Sequence, residues 1–116
     1  MKIDYNLQFN KNNKLQHFLN IENLSKEHIN EIIDLADKYI KNKSNKFKDL
    51  EGKTIASLFF EPSTRTKTTF ELATKRLSAD FINIDIANSS TLKGESILDM
   101  IKTLEAMECD MFIVRH

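Results

Sequence analysis

The chain has 116 residues, with 17 basic and 17 acidic side chains, a hydrophobic fraction of 41% and a charged fraction of 29%. This is the size of one domain, at roughly 100–200 residues each; the balanced charge excludes a self-repelling disordered tail and the basic face expected for nucleic acid. Cys109 is the one cysteine, so an internal disulfide and a cysteine-built zinc site are excluded, and with no apolar run near the ~20 residues of a membrane helix and no signal-peptide core in MKIDYNLQFN, a cytoplasmic protein is expected.

In chain order, residues 1 to about 20 are rich in Asn and Lys without clear periodicity, so an irregular or loosely packed start is expected. NLSKEHINEIIDLADKYIKNK follows. Ser25 is suited to cap a helix, Leu24 and Ile29 stand at the positions of a hydrophobic staple, and Ile29, Ile32, Ile33, Ala36 and Ile40 recur at helical spacing. Lys41 to Lys53 is a polar connection carrying Gly52, one of two glycines. Thr54 to Phe60 reads as a buried strand that Pro62 ends. A second helix is predicted from near Ser63, with Phe70, Ala73 and Leu77 inward. In residues 81–87, FINIDIA, Ile82, Ile84 and Ile86 alternate with Asn83 and Asp85 as in a strand. NSSTLKGE, residues 88–95, reads as a polar loop. Ile97, Met100, Ile101, Leu104 and Met107 then mark a third helix, and MFIVRH reads as a third strand.

The order helix, then β-α-β-α-β, predicts an α/β fold: a three-layer parallel sheet with helices on both faces, joined by right-handed crossovers. Ligands of such sheets bind at the carboxyl ends of the strands. Those ends are EPSTRT, NSSTLKGE and Arg115-His116, so three polar clusters are expected at one sheet edge. A parallel sheet wants both faces covered, and no helix follows the third strand, so residues 1–116 are expected to be an incomplete domain.

The stretch EPSTRTKTTFE carries the chemistry. Only three of the 17 basic residues are arginine, at Arg65, Arg76 and Arg115. A turn feeding a helix start offers unpaired N–H groups and the positive end of the helix dipole, which favour an anion. Ser63, Thr64 and Thr66 add hydroxyls, and the planar fork of Arg65 can bind two phosphate oxygens at once, unlike a lysine. GxxxxGKS/T and GxGxxG are both absent, so a phosphate site here rests on side chains and a helix end. The competing reading makes Ser63 a simple helix cap. Arg115 and the Ser/Lys loop at the same edge favour the anion. Arg76, beside Lys75 in mid-helix, reads as a solvated salt-bridge partner, and His116 as a packing or capping residue.

FFEPSTRTKTTFELA, then SSTLKGESILDMIKTLE and DMFIVRH, resemble the aspartate carbamoyltransferase catalytic chain. The likeness runs from about His17-Phe18-Leu19 through the Leu24-Ser25 helix start to the last residue. Ornithine carbamoyltransferases share the STRT turn, but FFEPSTRT and a strand ending Arg-His look more like the aspartate enzyme. The resemblance implies that residues 1–116 form a carbamoyl-phosphate-binding domain, without the aspartate-binding domain. It implies that Ser63, Thr64, Arg65, Thr66 and Arg115 hold carbamoyl phosphate, with Arg65, Thr66 and Arg115 acting in catalysis. It further implies that Ser89 and Lys93 reach into the site of an adjacent subunit of a homotrimer, where Lys93 meets carbamoyl phosphate and aspartate. Regulatory chains or a dihydroorotase are compatible partners.

The implied reaction transfers the carbamoyl group to L-aspartate in de novo pyrimidine biosynthesis, and needs no metal or redox cofactor. Lys67 stands where many members have a second arginine, a change of little expected effect. The family's later histidine and glutamine, which contact the carbamoyl group, have no counterpart here, so the chain alone is expected to be inactive. The alternatives are an ornithine-specific enzyme and a non-catalytic phosphate-binding or oligomerisation module.

Overall fold

The computed structural model describes residues 2–42, 46–86 and 97–116. These fall in two compact units, Met1–Ser44 and Asn45–His116.

The first unit opens with a short 3-10 turn, Tyr5–Gln8, whose start is capped by the Asp4 carboxylate accepting from the Asn6 N–H. Phe9 bridges Leu15, and Gln8 between these features is fully buried. Its Oε1 accepts the N–H groups of Leu19 and Asn20 at 2.7 and 2.9 Å, and its Nε2 donates to Asn20 Oδ1 at 3.1 Å. Its carbonyl accepts from Gln16 and His17. The segment is irregular, as expected, but it is not loose. A buried amide with both its oxygen and its nitrogen hydrogen-bonded avoids the cost of an unpaired polar group and ties the turn at Gln8 to residues 16–20.

Helix α1, Lys26–Lys41, begins where Ser25 predicts. The Ser25 hydroxyl accepts from His28 N at 3.2 Å while His28 Nδ1 accepts from Ser25 N at 3.1 Å. This is a reciprocal capping box with histidine in the place usually held by Glu or Gln. The other ring nitrogen, Nε2, lies 2.9 Å from the Asn13 carbonyl, and the ring stacks on Phe9 with centroids 4.7 Å apart. The apolar stripe of α1 stays on the surface, with Ile32, Ile33 and Ile40 exposed.

The second unit is the predicted α/β layer structure. Strands β1 (Thr54–Phe59), β2 (Asp80–Asp85) and β3 (Met111–Arg115) form one parallel sheet in the order β2-β1-β3. Helix α2, Thr64–Arg76, joins β1 to β2, and α3, Ile97–Ala106, precedes β3. The two crossovers run in opposite directions across the sheet, so right-handed connections place their helices on opposite faces. Central β1 is buried from Ile55 to Phe59, which explains its continuous apolar run. On one face Ala56 and Leu58 meet Met100, Ile101 and Leu104 of α3, with Cys109, Phe112 and Ile84 closing the cluster. Burying a leucine such as Leu58 contributes about 1.5–3 kcal/mol. Burial, and secondarily the neighbouring Asp110 carboxylate, push the Cys109 thiol up from its ordinary value.

Met107, expected in the third helix, stands just past α3 and is exposed. The inward assignment in α2 differs. In α2 the half-buried or buried residues are Thr66, Lys67, Glu71 and Thr74, while Phe70 and Ala73 are exposed and Leu77, just past the helix, is only partly buried. Phe70, Ala73 and Leu77 continue the helical stripe that starts at Thr66. Thr66 is half-buried and held to β3 by Arg115, whereas Phe70 and Ala73 beyond it are exposed. The partner of Lys75 is Glu71, at 2.9 Å. The 88–95 loop, with Ser89 and Lys93, lies outside the described residues.

Candidate functional site

The strand order reverses about β1, and in open α/β sheets the crevice at such a point, beyond the carboxyl ends, is where ligands bind. Here β1 ends at Phe59 and β3 at Arg115, paired in register. Phe60 N donates to the Arg115 carbonyl at 2.9 Å, carrying the ladder one residue past β1. The His116 ring meets Phe60 edge-on at 4.9 Å, in the packing role its position suggests.

From this fixed backbone the Arg115 side chain reaches across to the start of α2. Its Nη1 donates to Ser63 Oγ and to Thr66 Oγ1, each at 2.9 Å, and its Nε donates to Glu61 Oε1 at 2.9 Å. Ser63 holds the cap position of α2, yet its side chain makes no capping hydrogen bond. The simple cap reading of Ser63 is therefore replaced by a side-chain contact to β3. The first bond of the helix runs from Lys67 N to the Ser63 carbonyl at 3.0 Å, so the N–H groups of Thr64, Arg65 and Thr66 precede the ladder. Together with the helix dipole they form an anion-attracting end.

The Ser63 and Thr66 oxygens already accept from Arg115, which leaves each hydroxyl proton to donate elsewhere. Both Nη2 protons of Arg115 also remain outside these three bonds. Arg65 and Thr64 are exposed, and Arg65 has no side-chain hydrogen bond or ion pair among the described residues. Its carbonyl accepts from Thr69 Oγ1 at 2.8 Å, an ordinary intrahelical contact. The structure thus brings Ser63, Thr66 and Arg115 into direct contact and sets Thr64 and Arg65 beside them. The local charges are Arg65, Arg115 and Lys67 against Glu61 and, on the wall of the adjoining crevice, Asp85, a small positive excess that suits an anion.

A crevice of about 200 Å³ adjoins the turn, lined by Glu61, Ser63, Thr64, Lys67, Asn83 and Asp85. A larger hollow, about 550 Å³ among Lys46, Lys48, Glu51, Lys75 and Asp80, opens at the opposite, amino-terminal edge. Of the donors, Ser63, Thr64 and Lys67 line the smaller crevice and Arg65, Thr66 and Arg115 do not, so the candidate site is the turn itself, where Arg115 meets Ser63 and Thr66. Glu61 is the residue that sequence reasoning missed. Its signal was its place directly before Pro62 in a turn otherwise made of donors. Among the described residues no cluster of His, Cys, Asp or Glu could hold a metal ion, and no helix is long and apolar enough to cross a membrane.

Residues 16–116 match the family described as aspartate/ornithine carbamoyltransferase, carbamoyl-phosphate-binding domain. Solved structures are similar. The catalytic subunit of M. jannaschii aspartate transcarbamoylase is 39% identical, with a TM-score of 0.77 over 88% of this chain and 34% of that one. Trypanosoma cruzi aspartate transcarbamoylase in complex with carbamoyl phosphate is 33% identical, with a TM-score of 0.72 over 82% of this chain and 31% of that one. The same enzyme in complex with carbamoyl aspartate and phosphate matches with the same identity, coverage and TM-score. The chain therefore spans about a third of the length of the structures it resembles.

Proposed function

The chain belongs to the aspartate/ornithine carbamoyltransferase family, and from that premise we propose that residues 1–116 are the carbamoyl-phosphate-binding part of an aspartate carbamoyltransferase. The reaction is transfer of the carbamoyl group to L-aspartate, giving N-carbamoyl-L-aspartate and phosphate, in pyrimidine biosynthesis. One observation carries the reading: the Arg115 guanidinium held by the Ser63 and Thr66 hydroxyls at the uncapped first turn of α2. Aspartate is favoured over ornithine as acceptor because solved structures similar to this chain at 33–39% identity include the aspartate transcarbamoylases of M. jannaschii and Trypanosoma cruzi.

In the proposed mechanism the aspartate amine attacks the carbamoyl carbon. A C–N bond forms, the amine passes a proton to the phosphate, the tetrahedral intermediate collapses, and the C–O bond to phosphate breaks. Arg65 and Arg115 neutralise the phosphate as it leaves, and the hydroxyls of Ser63, Thr64 and Thr66 orient it. Thr66 also polarises the carbonyl, where fixed donors aimed at developing charge are most effective. Ser89 and Lys93 are assigned to the site of an adjacent subunit in a homotrimer, with Lys93 contacting both substrates. Holding the two reactants in register supplies a further part of the acceleration. None of these steps calls on a metal or redox group. We place the protein in the cytoplasm, in keeping with its single buried thiol.

Spanning a third of its relatives' length, the 116-residue chain alone is expected to bind phosphate weakly and not to turn over. Assaying a carbamoyltransferase that carries this domain with aspartate and with ornithine tests the reading. Carbamoyl-aspartate as the product supports it, and turnover of ornithine alone replaces it with the ornithine-specific alternative.

A further inference from the structure

We draw no further inference here: the strongest candidate, the exposed apolar stripe of Ile32, Ile33 and Ile40 along helix α1, carries none because nothing in the structure shows what covers it.

Discussion

Arg115 and Glu61, 54 residues apart in sequence, are joined by an Nε···Oε1 contact of 2.9 Å. The pair is about half exposed, at 46% and 53%, and water screens such pairs to about 0–1 kcal/mol. Its value is therefore orientation: with Nε on Glu61, the guanidinium presents Nη1 to two hydroxyls and leaves Nη2 outside these bonds. Glu61→Gln should change unfolding stability by less than about 1 kcal/mol. Arg115→Ala should weaken carbamoyl-phosphate binding by about 10- to 150-fold, the equivalent of one charge-assisted bond of roughly 1.5–3 kcal/mol. Urea unfolding and binding titrations on the two variants separate these effects.

Two serines at helix starts should respond in opposite ways. Ser25 caps α1 through its side chain, and Ser63 at the start of α2 does not. Ser25→Ala is expected to cost about 1 kcal/mol of stability, the usual loss for an N-cap. Ser63→Ala should cost markedly less in stability while lowering phosphate affinity. Denaturant midpoints and phosphate titrations measured side by side would show the contrast; equal destabilisation would mean that Ser63 is a cap after all.

A backbone feature offers a stabilising change. Glu108, just after α3, has φ of 68°, a left-handed conformation that glycine adopts without steric cost and most other residues do not. Glu108→Gly should stabilise the protein by about 0.5–1 kcal/mol, the relief of strain exceeding the added freedom of the unfolded chain. A thermal midpoint unchanged or lowered in the variant would show that the strain is not felt.

The shared-site proposal has its own signature. In full-length homotrimers, Arg65→Ala removes the phosphate fork from one chain's site, and Lys93→Ala removes the group lent to a neighbour. Mixing the two inactive proteins under conditions that exchange subunits should restore part of the activity, since some interfaces pair an intact Arg65 with an intact Lys93. A mixture no more active than its components would place both residues in the same chain's site.

Much of this was legible in the sequence because the signals were local. The alternation in FINIDIA, the continuous run in β1 and the Ser25 cap each depend on a few neighbouring residues, and the elements stand within a residue or two of their expected bounds. The cluster that Arg115 makes with Ser63 and Thr66 was legible for the same reason, since Ser63, Thr64, Arg65 and Thr66 are consecutive and Arg115 ends a strand. What escaped was set by distant partners. Gln8 among asparagines carries no hydropathy signal, and its role follows only once Leu19 and Asn20 fold back onto it. The exposure of Phe70 and Ala73 in α2 departs from the helical pattern, and Thr66 finds its partner in Arg115, 49 residues away. Glu61 likewise has its partner on another strand.

The central claim is that the STRT turn with Arg115 is a phosphate site, and the most direct test is calorimetric titration of the chain with carbamoyl phosphate at low salt, beside Arg65→Ala. Charge-assisted hydrogen bonds contribute roughly 1.5–3 kcal/mol each, against an association cost of about 4–15 kcal/mol. With about three such bonds from a single chain, dissociation constants in the millimolar range are expected, and the heat of binding should vanish in the variant. Equal binding by the two proteins, or none by the wild-type chain at tens of millimolar ligand, would contradict the assignment.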